Sequence, residues 1–139
     1  MTDLDRFVAA QEPVFAAVLA ELRAGRKQTH WMWFVFPQLA ALGRSPTAKY
    51  YGLADLGAAR AYLGHPVLGP RLIACTRLVN AVAGRSAHDI FGSPDDLKFR
   101  SCVTLFHRAA PDEAAFGEAL RKYFGGVEDA PTVELVASA

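Results

Sequence analysis

Residues 30–38 read His-Trp-Met-Trp-Phe-Val-Phe-Pro-Gln, and no other stretch restricts the fold of this chain so tightly. Six consecutive large apolar side chains at positions 31–36 include both tryptophans of the protein. A run without polar interruption has no face to give to water, so it is expected to be buried on all sides. It is far shorter than the roughly 20 apolar residues that span a bilayer, so it belongs at the centre of a soluble core. Its local form is open to two readings. Trp, Phe and Val favour a strand by propensity. Almost every other segment reads as helix, however, and a lone strand leaves its backbone groups unpaired. A short buried helix is therefore expected, with Thr29 as candidate cap and Pro37 limiting its extension.

The flanking sequence supplies helix punctuation. Thr2 and Asp5 resemble a helix start, and Leu4, Phe7 and Val8 give that helix its apolar face. Pro13 disfavours helical geometry at Glu12 and is expected to open a second helix at its first position. Phe15, Val18, Leu19 and Leu22 follow the i, i+3, i+4, i+7 pattern, and Gly25 stops the helix. Ser45 caps a helix that begins at Pro46, and Asp55 begins another that carries Leu56, Ala59 and Leu63 and ends at Gly64. His65-Pro66 through Gly69-Pro70 reads as a rigid connection. Leu72, Cys75, Val79 and Val82 mark a longer helix that closes at Gly84. Residues 86–91 are a short turn of helix. Ser93-Pro94-Asp95-Asp96 is the strongest start signal, a cap followed by proline and two acids, before the stripe Phe99, Cys102, Val103, Phe106. Asp112 caps a helix with Phe116, Leu120, Tyr123 and Phe124 inward, stopped by Gly125 and Gly126. A last weak helix covers residues 132–136. The expected class is all-α, a single compact domain of about six or seven helices wrapped on residues 30–42.

Composition removes several functions. A chain of 139 residues fits one domain and buries enough surface to fold without metal or disulfide support. Fifteen Lys and Arg against fourteen Asp and Glu give a formal charge of +1, without the basic excess of a nucleic-acid binder. The start of the chain is acidic and lacks a signal peptide's apolar run, so a cytoplasmic location is expected, with no membrane segment. Cys75 and Cys102 have no metal-ligand spacing and read as buried, inert side chains. The histidines at 30, 65, 88 and 107 share no i, i+3 or i, i+4 spacing, so no metal site is expected. Dinucleotide, P-loop and nucleophile-elbow patterns are absent, and no cofactor is expected.

Several blocks carry a resemblance. Leu19-Ala20-Glu21-Leu22-Arg23-Ala24-Gly25-Arg26-Lys27, followed by residues 30–38, is the first of them. Leu42-Gly43-Arg44-Ser45, His65-Pro66-Val67-Leu68-Gly69-Pro70-Arg71-Leu72 and Ile90-Phe91-Gly92-Ser93-Pro94-Asp95-Asp96-Leu97-Lys98 continue it. Together they resemble the uncharacterised bacterial domain family numbered 1810 over nearly the whole chain. The resemblance implies a mainly helical single domain. It brings no established activity, and the label calpastatin carried by some members finds no support in these residues.

Polar groups bracket the apolar run at both ends. Histidine is a common acid–base group, but His30 has no evident orienting partner in the sequence, so a hydrogen-bonded histidine at a helix end is the simpler reading. Trp31 and Trp33 more readily fill a core than stack on a flat ligand. Arg26, Lys27, Arg44, Lys98 and Arg100 fall in turns or first helix turns, where pairing with Asp95 or Asp96 accounts for Lys98 and Arg100. Arg44, beside the cap at Ser45, is suited to an anion. The candidate site is His30, Trp33, Gln38, Arg44 and Lys98, converging on one cleft for a small anionic, planar ligand. A binding module for such a ligand or a protein partner is the leading function. An enzyme acting on a small anionic or nucleotide-like substrate and an assembly role are the alternatives. The sequence leaves the oligomeric state open.

Overall fold

The computed structural model describes residues 4–137. Those residues form ten α-helices and one 3-10 turn, more elements than the six or seven helices expected, because several helices span only four or five residues. In chain order they are α1 (Asp5–Gln11), α2 (Phe15–Arg23), α3 (Met32–Val35), the 3-10 turn Ala40–Leu42, α4 (Pro46–Tyr50), α5 (Leu56–Gly64), α6 (Leu68–Ala81), α7 (Ala87–Phe91), α8 (Asp95–Ala109), α9 (Ala114–Phe124) and α10 (Ala130–Ala137). The extended pairing among the described residues is a single parallel bridge between Leu39 and Leu53. Among the described residues no helix is long and apolar enough to cross a membrane.

The expected stripe of α8 is fully enclosed: Phe99, Cys102, Val103 and Phe106 are all buried, and so are Ser101, Thr104 and Leu105 between them. A helix buried around most of its circumference is an internal one. It packs against α5, α7, α9 and α10. The aromatic run docks on this helix. Phe36 lies edge-on to Phe99 (5.1 Å) and Phe91 (5.8 Å), while Phe34 meets Tyr51 at 5.3 Å. Trp33 alone in the run is half-exposed.

The run is helical for one turn. Pro37 pushes Phe36 out of the helical region, and the chain leaves α3 extended. So short a helix leaves its carbonyls without internal partners. Gln11 Nε2 donates to the Phe34 carbonyl at 2.6 Å, and the buried Tyr62 hydroxyl lies 3.4 Å from it. Arg71 in turn donates to Gln11 Oε1 (3.3 Å) and pairs with Glu12 (3.1 Å). Thr29 does not cap α3. Its hydroxyl donates to Glu21 Oε2 (2.6 Å), while Glu21 Oε1 accepts from the backbone of Gln28 (2.6 Å) and Thr29 (2.9 Å) and the indole of Trp31 (3.0 Å). Burial pushes the Glu21 carboxyl up, but the hydrogen bonds from Thr29, Gln28 and Trp31 outweigh it and hold it down, from 4.5 to about 2.

Other helix boundaries refine the reading of the sequence. Ser45, Asp55 and Ser86 cap α4, α5 and α7 as expected, Ser86 in a reciprocal box with Asp89. Left-handed Gly25, Gly84, Gly125 and Gly126 follow their helices. Thr2 lies outside the described residues. Pro13 does not open α2; it sits in the turn before Val14, the N-cap residue. The expected connection at residues 65–70 is partly helix, since α6 starts at Leu68 and takes Pro70 into its first turn, where no N–H is needed. His65 Nδ1 accepts from the amides of Val67 (3.1 Å) and Leu68 (3.3 Å). Ser93 does not cap α8. Pro94 is its N-cap residue, and Asp96 Oδ1 accepts from Leu97 N at 2.9 Å. Glu113, not Asp112, caps α9, and α10 begins at Ala130, ahead of Thr132. Both cysteines are buried and free; burial pushes the Cys75 thiol up to about 12 and the Cys102 thiol well above its ordinary value.

Two predictions follow from this packing. A Cβ at Gly52 would lie 2.3 Å from the Ala40 Cα, beside the Leu39–Leu53 bridge, whereas one at Gly64 meets nothing within 4 Å. Gly52→Ala is expected to lower stability by about 1–3 kcal/mol. Gly64→Ala is expected to raise it by about 0.4–1 kcal/mol through the unfolded chain; urea denaturation of both compares them. Glu21→Gln should cost about 1–3 kcal/mol at pH 7. The folded carboxyl titrates below the unfolded one, so its contribution is complete above pH 4.5 and fades as pH falls toward about 2. With partial exposure to solvent, that fading amounts to about 1–2 kcal/mol. An acid-unfolding limb equally steep in Glu21→Gln and wild type would contradict this account.

Candidate functional site

Where the chain leaves α3, Pro37 is buried and Gln38 half-exposed. The bridge then fixes the path of the chain: Leu53 N donates to the Gln38 carbonyl (2.9 Å) and Ala40 N to the Leu53 carbonyl (2.8 Å). The 3-10 turn and the capped start of α4 bring Gly43, Arg44 and Ser45 opposite the first turns of α8. Asp129 and Pro131, at the start of α10, complete an open cleft of about 530 Å³. That size lies within the range of small-molecule sites.

Gln38, Arg44 and Lys98, three of the five expected residues, line this cleft together. Trp33 lies in a narrow adjoining crevice that shares Gln38, Ala48 and Lys98 with it, and the Lys98 ammonium sits over the Trp33 ring at 5.6 Å. His30 is exposed and lines neither space.

The charges around the cleft are unequally compensated. Arg44 is exposed, and its guanidinium makes no hydrogen bond or ion pair with any described residue. Lys98 lies 3.8 Å from Asp95 Oδ1. Asp95 already has a closer partner, Lys27, at 3.0 Å through Oδ2. The Lys27 side chain is only 8% exposed and also lies over the Trp31 ring at 5.2 Å, so that carboxylate is its counter-ion in a largely desolvated position. One carboxylate thus serves two ammonium groups, and Lys98 retains positive charge toward the cleft. Of the hydroxyls on the lining, Ser101 Oγ donates to the Leu97 carbonyl (3.2 Å), while Ser45 Oγ accepts from Ala48 N (3.1 Å) and keeps its own O–H to donate.

Sequence reasoning did not single out Leu97, Ser101 and Asp129. Leu97 is 57% exposed, a large apolar group at the cleft. Asp129 caps α10, with Oδ2 accepting from Thr132 N (3.1 Å) and Thr132 Oγ1 (2.6 Å). A signal for it existed: an acid three residues before Thr132, with Pro131 between, is a helix-start pattern. Among the described residues no group of three or more His, Cys, Asp or Glu is placed to hold a metal ion.

Fold and cleft together define a small all-helical domain with a cationic, partly apolar cleft beside a buried aromatic turn. The chain belongs to the family described as "Protein of unknown function (DUF1810)", whose model matches residues 1–136. It is similar to the conserved hypothetical protein Rv1873 from Mycobacterium tuberculosis, whose crystal structure superposes with a TM-score of 0.96 at 59% sequence identity, over 97% of this chain and 96% of that one. No curated protein matches the chain.

Proposed function

We propose that the cleft formed by Gln38, Arg44 and Lys98 binds a small anionic ligand. The observation that carries this reading is the unpartnered Arg44 guanidinium beside a lysine whose nearest acid is already paired with Lys27. A guanidinium offers a planar fork of donors to a carboxylate or phosphate, and Lys98 adds a point charge. Gln38 contributes an amide able to donate or accept. Leu97 supplies an apolar wall for the rest of the ligand. Trp33 acts from behind Lys98, steadying the ammonium rather than stacking on the ligand. Neither Ser45 nor Ser101 has a side-chain base bonded to its hydroxyl, which favours holding a ligand over attacking one.

A thermal-shift screen of nucleoside monophosphates and sugar phosphates tests the reading. A probe at about 100 times its dissociation constant should stabilise wild type by about 2.7 kcal/mol. Arg44→Ala and Lys98→Ala should each lose most of that shift while their unliganded stability changes little, since both groups are partly or wholly in solvent. No shift in wild type for any probe in the panel, or shifts unchanged in both variants, would overturn the proposal.

A further inference from the structure

We infer that the ligand of this cleft is a zwitterion, carrying an ammonium group for Asp129 as well as an anion for Arg44 and Lys98. The inference rests on the binding role proposed above and adds the class of ligand. Asp129 lines the same cleft as the two cations. Its cap uses only one oxygen, since both bonds from Thr132 end on Oδ2. Oδ1 has no hydrogen bond to any described residue, and no lysine or arginine among them pairs with the carboxylate. An ionised carboxylate offers about four acceptor positions, so most of its capacity is unused by the described residues.

The carboxylate is also held in place. Asp129 N donates to Thr104 Oγ1 (3.0 Å), and its carbonyl accepts from Val133 N (3.1 Å). The neighbouring Glu128 is gripped by Arg108 through two bonds of 2.7 Å. A fixed acceptor binds without the cost of being ordered first. A simple anion entering this cleft meets Arg44 favourably but brings like charge toward Asp129. A ligand with an ammonium at its other end turns that opposition into a second contact, and so discriminates between the two kinds of molecule.

Helix capping is the competing explanation of Asp129, and it makes a different prediction. Asparagine caps a helix about as well as aspartate, so Asp129→Asn keeps the fold and removes only the charge. The experiment is calorimetric titration of the full chain with O-phosphoethanolamine and with propyl phosphate, in which a methyl group replaces the ammonium. Wild type should bind O-phosphoethanolamine at least tenfold more tightly, and Asp129→Asn should bind the two alike, with its melting temperature close to wild type. Equal or weaker binding of O-phosphoethanolamine by wild type, or a preference that survives in Asp129→Asn, overturns the zwitterion. Propyl phosphate binding that depends on Arg44, with no gain from the ammonium, removes this inference and leaves the anion site intact. Binding of neither probe removes both. Vesicles containing phosphatidylethanolamine present the same chemistry on a lipid: cosedimentation that Asp129→Asn abolishes assigns a headgroup, and binding of the free compound alone assigns a small molecule.

Discussion

Burying a single turn of helix is the constraint on which the rest of this structure depends. The run at positions 31–36 removes a large apolar surface from water, but it also carries the backbone of α3 into the interior. Four residues cannot satisfy their own terminal N–H and C=O groups. The fold answers with partners from distant parts of the chain. Gln11 and Tyr62 serve the Phe34 carbonyl, and Glu21 gathers the strand of backbone that enters the turn together with the Trp31 indole. Each of these groups would be costly to bury alone, so each also fixes the position of the helix that bears it.

The same arrangement explains why charge accumulates beside the apolar turn. Glu21 orders the loop that leads through Lys27, and Lys27 N donates to the Ile90 carbonyl at 2.7 Å while its ammonium reaches Asp95. The entry to the aromatic run is thereby tied to the start of α8. On the exit side, the Leu39–Leu53 bridge and the close approach of Gly52 to Ala40 set the path from Gln38 to Arg44. Lys98, one turn into α8, then lies between the two ties. The cleft is a consequence of how the aromatic turn is anchored, and its cations come from the anchoring segments themselves.

Much of this was legible in the sequence, for reasons particular residues make clear. The stripe Phe99, Cys102, Val103, Phe106 has helical period and is buried as read, and the capping residues Ser45, Asp55 and Ser86 act locally, within three positions of their partners. The misses lie where two acceptable residues compete for one boundary. Ser93 and Pro94, or Asp112 and Glu113, offer neighbouring starts, and only tertiary packing chooses between them. Thr29 has the chemistry of a cap, yet Glu21 claims its hydroxyl from the preceding helix. Gln38, Arg44 and Lys98 share a lining because of a bridge between residues 39 and 53 that has no sequence signature. His30 is adjacent to the run in sequence but turns to solvent, since adjacency along the chain says nothing about direction.

Asp95 shows how a structural ion pair can set the charge left at a neighbouring cleft. A buried lysine needs an anion nearby, and Lys27 has one at 3.0 Å. Had Asp95 served Lys98 alone, Arg44 would be the one uncompensated cation on the cleft lining among the described residues. Because the carboxylate is committed to the less exposed cation, the attraction left for Lys98 is weaker, as its longer 3.8 Å separation indicates. The uncompensated charge of the trio therefore falls on the member that faces the cleft, next to Arg44. The part of the cleft's positive charge that Lys98 carries thus follows from the need to keep Lys27 paired, while Arg44 adds its own.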